Sequence, residues 1–195
     1  MSLRPDLAVI AEHVPAGARV LDIGCGDGKL MAVLRGQRGV DARGLEIDPE
    51  EVEKAVGRGL SVVQGDADHD LANYPDGAFD YAILSQTLQT AERPDRMLEQ
   101  LLRVGRRAFV SFPNFAYWRM RMSLLLNGRM PVTRHLPVSW YETENIHHLT
   151  IADFETLVAE KGAKVERNWF LTGDREIAAA GANWRAEYAV YLLSR

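Results

Sequence analysis

Val20-Leu21-Asp22-Ile23-Gly24-Cys25-Gly26-Asp27-Gly28-Lys29-Leu30 decides the fold. An apolar, β-prone run ends in three glycines at alternate positions, and a helical pattern follows at once. Glycine serves where backbone turns tightly or meets a ligand with no Cβ in between. A strand-loop-helix junction of this kind is where open α/β sheets bind nucleotide-like molecules, at the carboxyl ends of their strands. The spacing departs from the dinucleotide fingerprint G-x-G-x-x-G, because Lys29 stands where its third glycine would be.

Outward from this loop, short β-prone runs alternate with helical ones. Residues 19–24, 41–46, 60–64, 79–85 and 107–112 read as strands, several apolar enough to be buried on both faces. Asp48 is placed to cap a helix that has Pro49 at its first position, with Glu51 reaching back as in a capping box. Pro94 opens another helix, whose Met97, Leu98, Leu101 and Leu102 share one face. Repeated βα units predict right-handed crossovers, hence a doubly wound α/β sheet with helices on both sides. The rhythm breaks over 114–149. It resumes with a helix capped by Thr150, carrying Ile151, Phe154, Leu157 and Val158 inward and stopping at Gly162, and with strand-like runs at 164–171 and 184–193. The expectation is one domain over 1–195 with an insertion at about 114–149.

Composition narrows the function classes. The formal charge of −4 argues against a general phosphate-binding surface, so nucleic acid is a disfavoured partner. Cys25 is the one cysteine, which excludes an internal disulfide and leaves too few thiolates for a zinc site. The histidines lack metal-ligand spacing, and no metal is expected. The first residues lack a signal-peptide core and no apolar stretch reaches the length of a membrane span, so the expected setting is cytoplasmic, without membrane attachment.

The glycine run resembles motif I of the class I S-adenosylmethionine (SAM) methyltransferases, with Asp22 as the acidic residue before the loop. The resemblance implies a Rossmann-like sheet, mostly parallel with an antiparallel last strand, and SAM or S-adenosylhomocysteine as ligand. Four strand ends fit that ligand. The loop Gly24, Cys25, Gly26 and Gly28 lets backbone lie against the methionine and ribose moieties. Glu46, followed by Ile47, ends the second strand, where a carboxylate accepts from both ribose hydroxyls. Asp66 and Ala67 follow the third strand, with a carboxylate for the adenine amine and an N–H for a ring nitrogen. Ser85 and Gln86 follow the fourth, near the sulfonium. Glu46 and Asp66 taken singly also read as solvated strand ends, and NAD is the competing ligand, disfavoured by the glycine spacing and by Asp22.

A second resemblance is narrower. Ser85-Gln86-Thr87-Leu88-Gln89, Phe112-Pro113-Asn114-Phe115, Trp118-Arg119, Asn127-Gly128-Arg129-Met130-Pro131-Val132-Thr133, Leu136-Pro137, Trp140-Tyr141-x-Thr143-x-Asn145-Ile146-His147 and Thr150-Ile151-x-Asp153-Phe154 resemble, in this order, the MetW family of methionine-biosynthesis proteins. Glu144 departs from that pattern, standing where proline is expected, next to no residue of the expected cofactor set. The resemblance implies a partner or activator of homoserine O-acyltransferase. The alternatives are an active SAM-dependent methyltransferase on a small polar metabolite and a SAM sensor. No catalytic residue is assigned. His135, His147 and His148 are the candidate bases, and no Ser-His-Asp set supports acyl transfer by the chain itself. Residues 114–149 carry Arg119, Arg121, Arg129 and Arg134 among Trp118, Tyr117, Trp140 and Tyr141, the composition of an interface or lid. The competing reading packs Trp118, Met122, Leu125 and Leu126 onto the sheet.

Overall fold

A computed structural model describes residues 3–132 and 139–195. Arg134, His135 and the Leu136-Pro137 pair lie outside the described residues. Eight strands, β1 (Arg19–Ile23), β2 (Asp41–Glu46), β3 (Ser61–Gln64), β4 (Phe79–Ser85), β5 (Gly105–Pro113), β6 (Lys164–Thr172), β7 (Arg175–Ile177) and β8 (Tyr188–Ser194), form one sheet in the order β3-β2-β1-β4-β5-β8-β6-β7. Strands β3 to β5 of that order pair in parallel, while β8 runs antiparallel to both β5 and β6. The chain winds outward from β1 through β2 and β3, then returns to lay β4 on the other flank of β1. The reversal opens a crevice between the carboxyl ends of β1 and β4.

The helices are α1 (Pro5–His13), α2 (Lys29–Arg38), α3 (Pro49–Gly57), α4 (Ala67–Asp70), α5 (Pro94–Val104), α6 (Trp118–Asn127), α7 (Ile151–Glu160) and α8 (Ala182–Arg185). Two cores result from the period-two alternation of the strands. Leu21, Leu84 and Val110 meet Leu98 and Leu101 of α5 and Phe154 of α7 on one face. Val20, Ile83 and Phe109 meet Ile10 of α1 and Leu30 and Leu34 of α2 on the other. The predicted inward residues of α5 are all buried, as are Ile151, Phe154 and Val158 of α7, with Leu157 partly so.

Several local expectations are corrected. Asp48 does cap α3, accepting from the Glu50 N–H at 2.8 Å, but Glu51 turns to the Lys54 ammonium instead of back to the cap. The capping box occurs at Thr150 and Asp153. The expected strand 184–193 begins only at Tyr188, because Ala182–Arg185 coil into α8, whose Arg185 guanidinium donates to the Ala178 and Ala180 carbonyls. Helix α1 and the edge strand β7 were not anticipated. In α6 it is Met120 that is buried, while Leu125 and Leu126 are 76% and 72% exposed, so packing of the helix onto the sheet through those leucines does not hold.

Candidate functional site

Two adjoining cavities of about 590 and 550 Å³ lie along the carboxyl edge of the sheet and share Arg4, Gly24, Glu51 and Ser85. Asp22, Gly24, Cys25, Gly26, Glu46, Ile47, Asp66, Ala67 and Ser85 all line them. Gly28 does not. It is the left-handed N-cap of α2 at φ 75°, and a Cβ there would stand 2.3 Å from the Leu60 side chain. Gly24, at φ 68°, is likewise fixed by packing, since a Cβ would meet Thr87 Oγ1 at 2.4 Å. Gly26, at φ 53°, has only Glu51 within reach of a Cβ, so it presents open backbone to the cavity.

The Glu46 carboxylate holds this edge together. One oxygen accepts from the Gly26 N–H at 2.7 Å; the other accepts from the N–H groups of Ile47 at 2.9 Å and Asp48 at 3.0 Å. It therefore ties the glycine loop to the β2–α3 turn, and the oxygen that accepts from Gly26 alone retains acceptor capacity. Asp66 caps α4 by accepting from the Asp68 N–H at 2.9 Å and sits 3.0 Å from His69 Nδ1, which it favours in its protonated form. Ile47, 62% exposed, gives the larger cavity an apolar wall together with Ala67, Ala91 and Met97.

Asp22 is buried on β1 and its carboxylate accepts no hydrogen bond among the described residues. Burial pushes its pKa up to about 7, with Arg4 opposing and Glu46 reinforcing the shift. Lining the smaller cavity without a protein hydrogen-bond partner among the described residues, this carboxylate is available to a donor or cation there. Cys25 has its thiol pushed up by burial and by the Asp22 and Glu46 carboxylates, which leaves it protonated and inert. It packs where Gly44 lacks a Cβ.

Ser85 does more than end β4. Its hydroxyl donates to Asp6 at 2.9 Å, and Ser111, its neighbour on β5, donates to the same Asp6 oxygen at 2.8 Å. Arg4, Asp6 and the whole α1 contribution were absent from the expected site. The available signals were Pro5 at a first helical position and the spacing of Ile10, Ala11 and Val14. Gln86 lines the larger cavity with φ 55°, a left-handed conformation uncommon outside glycine. Glu144, expected to stand apart from the cofactor set, lines that cavity too.

Among the described residues, His147 and His148 do not line the cleft. The His147 N–H donates to the Gln89 carbonyl at 3.0 Å, and its ring Nε2 is buried without a partner. His148 packs edge-on against Phe115 and lines a separate apolar cavity of about 580 Å³ with Met120, Leu124, Met130 and Trp140. Among the described residues no cluster of His, Cys, Asp and Glu could hold a metal ion, and no helix is long and apolar enough to cross a membrane.

The fold recurs in solved structures. A SAM-dependent methyltransferase from Mesorhizobium loti superposes with a TM-score of 0.72 at 17% identity, covering 98% of both chains. One from Archaeoglobus fulgidus gives 0.70 at 15% identity over 97% of this chain and 91% of that one. In sequence, the bifunctional methionine biosynthesis protein MetXA/MetW of Rhodopirellula baltica is 35% identical over 184 residues, 90% of this chain and 30% of that protein. Norajmaline N-methyltransferase of Rauvolfia serpentina is 29% identical over 94 residues, 44% of this chain and 32% of the plant enzyme. The chain spans about a third of the length of these curated relatives. The profile of the family described as methionine biosynthesis protein MetW matches residues 4–193, nearly the whole chain. With the class I SAM-methyltransferase architecture beneath it, the chain belongs to the MetW family of methionine biosynthesis proteins.

Proposed function

We propose that this chain binds SAM in the β1–β4 cleft and serves methionine biosynthesis as a partner and activator of a homoserine O-acyltransferase. The cofactor reading is carried by one observation: an open glycine-loop backbone, the unpartnered Asp22 carboxylate and the Glu46 carboxylate converge on one cleft at the strand reversal. Those groups suit a ligand with a cationic amino-acid end and a ribose. Asp22 meets an ammonium, Glu46 accepts from ribose hydroxyls, and Ile47, Ala67, Ala91 and Met97 offer apolar surface to a base. SAM supplies an electrophilic methyl group when bound.

The partnership is supported by the Rhodopirellula relative, in which a MetW unit is joined to MetXA in one polypeptide. It is supported too by the surface after β5. Residues 115–132 hold Arg119, Arg121 and Arg129 with no acidic residue, on an otherwise acidic chain. Trp118, Leu124, Leu125, Leu126 and Val132 are exposed among them. Apolar and arginine side chains so combined suit a docking face, with an acidic rim on the partner. Co-purification with the acyltransferase, and acylation rates with and without this chain, test the reading. Neither complex nor rate change would refute it.

A methyltransferase acting on a small metabolite is the second reading, favoured by Gln86, whose left-handed backbone beside the cleft is the kind of strain stored at functional sites. Transfer of label from SAM into a metabolite extract would establish it; an inert, folded protein would dismiss it.

A further inference from the structure

We propose that Arg4 is the receptor for the α-carboxylate of the ligand, an assignment that rests on reading the cleft as a SAM site. Six carboxylates line the larger cavity against Arg4 alone, while the smaller one balances three carboxylates with Arg4, Lys29 and Lys54. The larger cavity's lining attracts the ammonium and sulfonium charges of SAM and repels its carboxylate, which must therefore find one of the few cations. Lys29 pairs with Asp27 at 2.9 Å and Lys54 with Glu51 at 2.6 Å, as Arg4 pairs with Asp6 at 3.3 Å, but of the three only Arg4 reaches both cavities. Arg4 lines both cavities beside Gly24 and Ser85, at the end of the cleft where Asp22 awaits an ammonium.

The guanidinium is held in place along one edge. Its Nε and Nη2 donate to the two Asp6 oxygens at 3.3 and 3.4 Å, and Nη2 also donates to Ser85 Oγ at 2.8 Å. Asp6 is itself fully buried and pinned by the hydroxyls of Ser85 and Ser111, one from each central strand. That leaves Nη1 with no hydrogen-bond partner among the described residues, on a side chain about half exposed. Both hydroxyls serve one Asp6 oxygen while Arg4 Nε serves the other, so the pairing fixes the guanidinium and leaves Nη1 over. A planar fork fixed on one side and free on the other is preorganised for a carboxylate.

The test compares two ligands that differ in the carboxylate alone, SAM and decarboxylated SAM, by titration calorimetry on the wild type, Arg4→Ala and Arg4→Lys. Wild type is expected to prefer SAM by about tenfold or more, the range of charge-assisted hydrogen bonds. Arg4→Ala is expected to bring the two affinities within about twofold, and Arg4→Lys to retain part of the preference. The ratio within one variant is independent of the fraction of protein folded, because both ligands draw on the same folded population. Equal affinities in the wild type, with both ligands binding, would overturn the assignment and leave the cofactor reading intact. A preference that survives in Arg4→Ala would do the same. Binding of neither ligand by the wild type would overturn both.

Discussion

The Glu46 carboxylate accepts from Gly26 on one oxygen and from Ile47 and Asp48 on the other, so its replacement acts on the loop as well as on the ligand. Glu46→Ala strands three backbone donors beside a buried position, at a cost of about 1–3 kcal/mol in urea unfolding, and removes the proposed ribose acceptor, which should weaken SAM by about tenfold or more in calorimetry. Glu46→Gln is no rescue, because its NH₂ must face a donor whichever way the amide turns. Unchanged unfolding in both variants would refute the structural role; wild-type SAM affinity would refute the ligand role. Asp22 yields a pH prediction. Burial raises its pKa to about 7, so between about pH 4 and 7 the native protein keeps a proton that the unfolded chain has released. Stability contributed by this group therefore falls as pH rises through that window, by about 1.4 kcal/mol per unit of displacement. Asp22→Asn removes the dependence, so its stability advantage should widen toward neutrality in denaturant midpoints taken across the window. Parallel profiles would contradict the assignment.

At the scale of elements, exposure separates α6 from the helices that build the core. Leu125→Glu with Leu126→Glu touches side chains that are mostly in solvent, so unfolding should stay within about 0.5 kcal/mol of wild type. Phe154→Ala, in α7 between Phe112 and Tyr191, should cost about 3–5 kcal/mol. Under the proposed partnership the order inverts for capture of the acyltransferase, which the double glutamate variant should lose while remaining folded. Full capture by that variant would remove α6 from the docking face. The same contrast explains what was readable in advance. The faces of α5 and α7 were legible because each repeats apolar residues at helical spacing and packs locally against a strand. Helix α1 is not legible in local spacing because its anchoring depends on Asp6, whose hydroxyl partners lie some eighty and a hundred positions on. Glu46 and Asp22 were legible as acids at strand ends. Their distinct states, one held by three backbone donors and one without a hydrogen bond among the described residues, depend on turns that spacing does not reveal.

For the whole molecule, the cleft gathers at the β1–β4 crevice while the apolar, basic surface follows β5, so the proposed ligand and docking faces are built from different segments of the chain. The Rhodopirellula relative holds MetXA and MetW in one polypeptide, whereas two separate chains would have to find each other. Joining modules sets an effective concentration that reaches the millimolar range for short flexible linkers. If this chain activates a homoserine O-acyltransferase by binding it, activation by the separate chain must fade on dilution, with a midpoint at the dissociation constant of the pair. A version fused through a flexible Gly/Ser linker should keep its rate over the same dilution, and at high concentration the two should converge, because the linker adds proximity and no new contact. Acylation rate per acyltransferase, followed across a dilution series for the mixed and fused proteins, checks this. Coincident curves that both fall would show that the linker fails to hold the productive complex. A rate indifferent to the chain at every concentration would refute activation altogether.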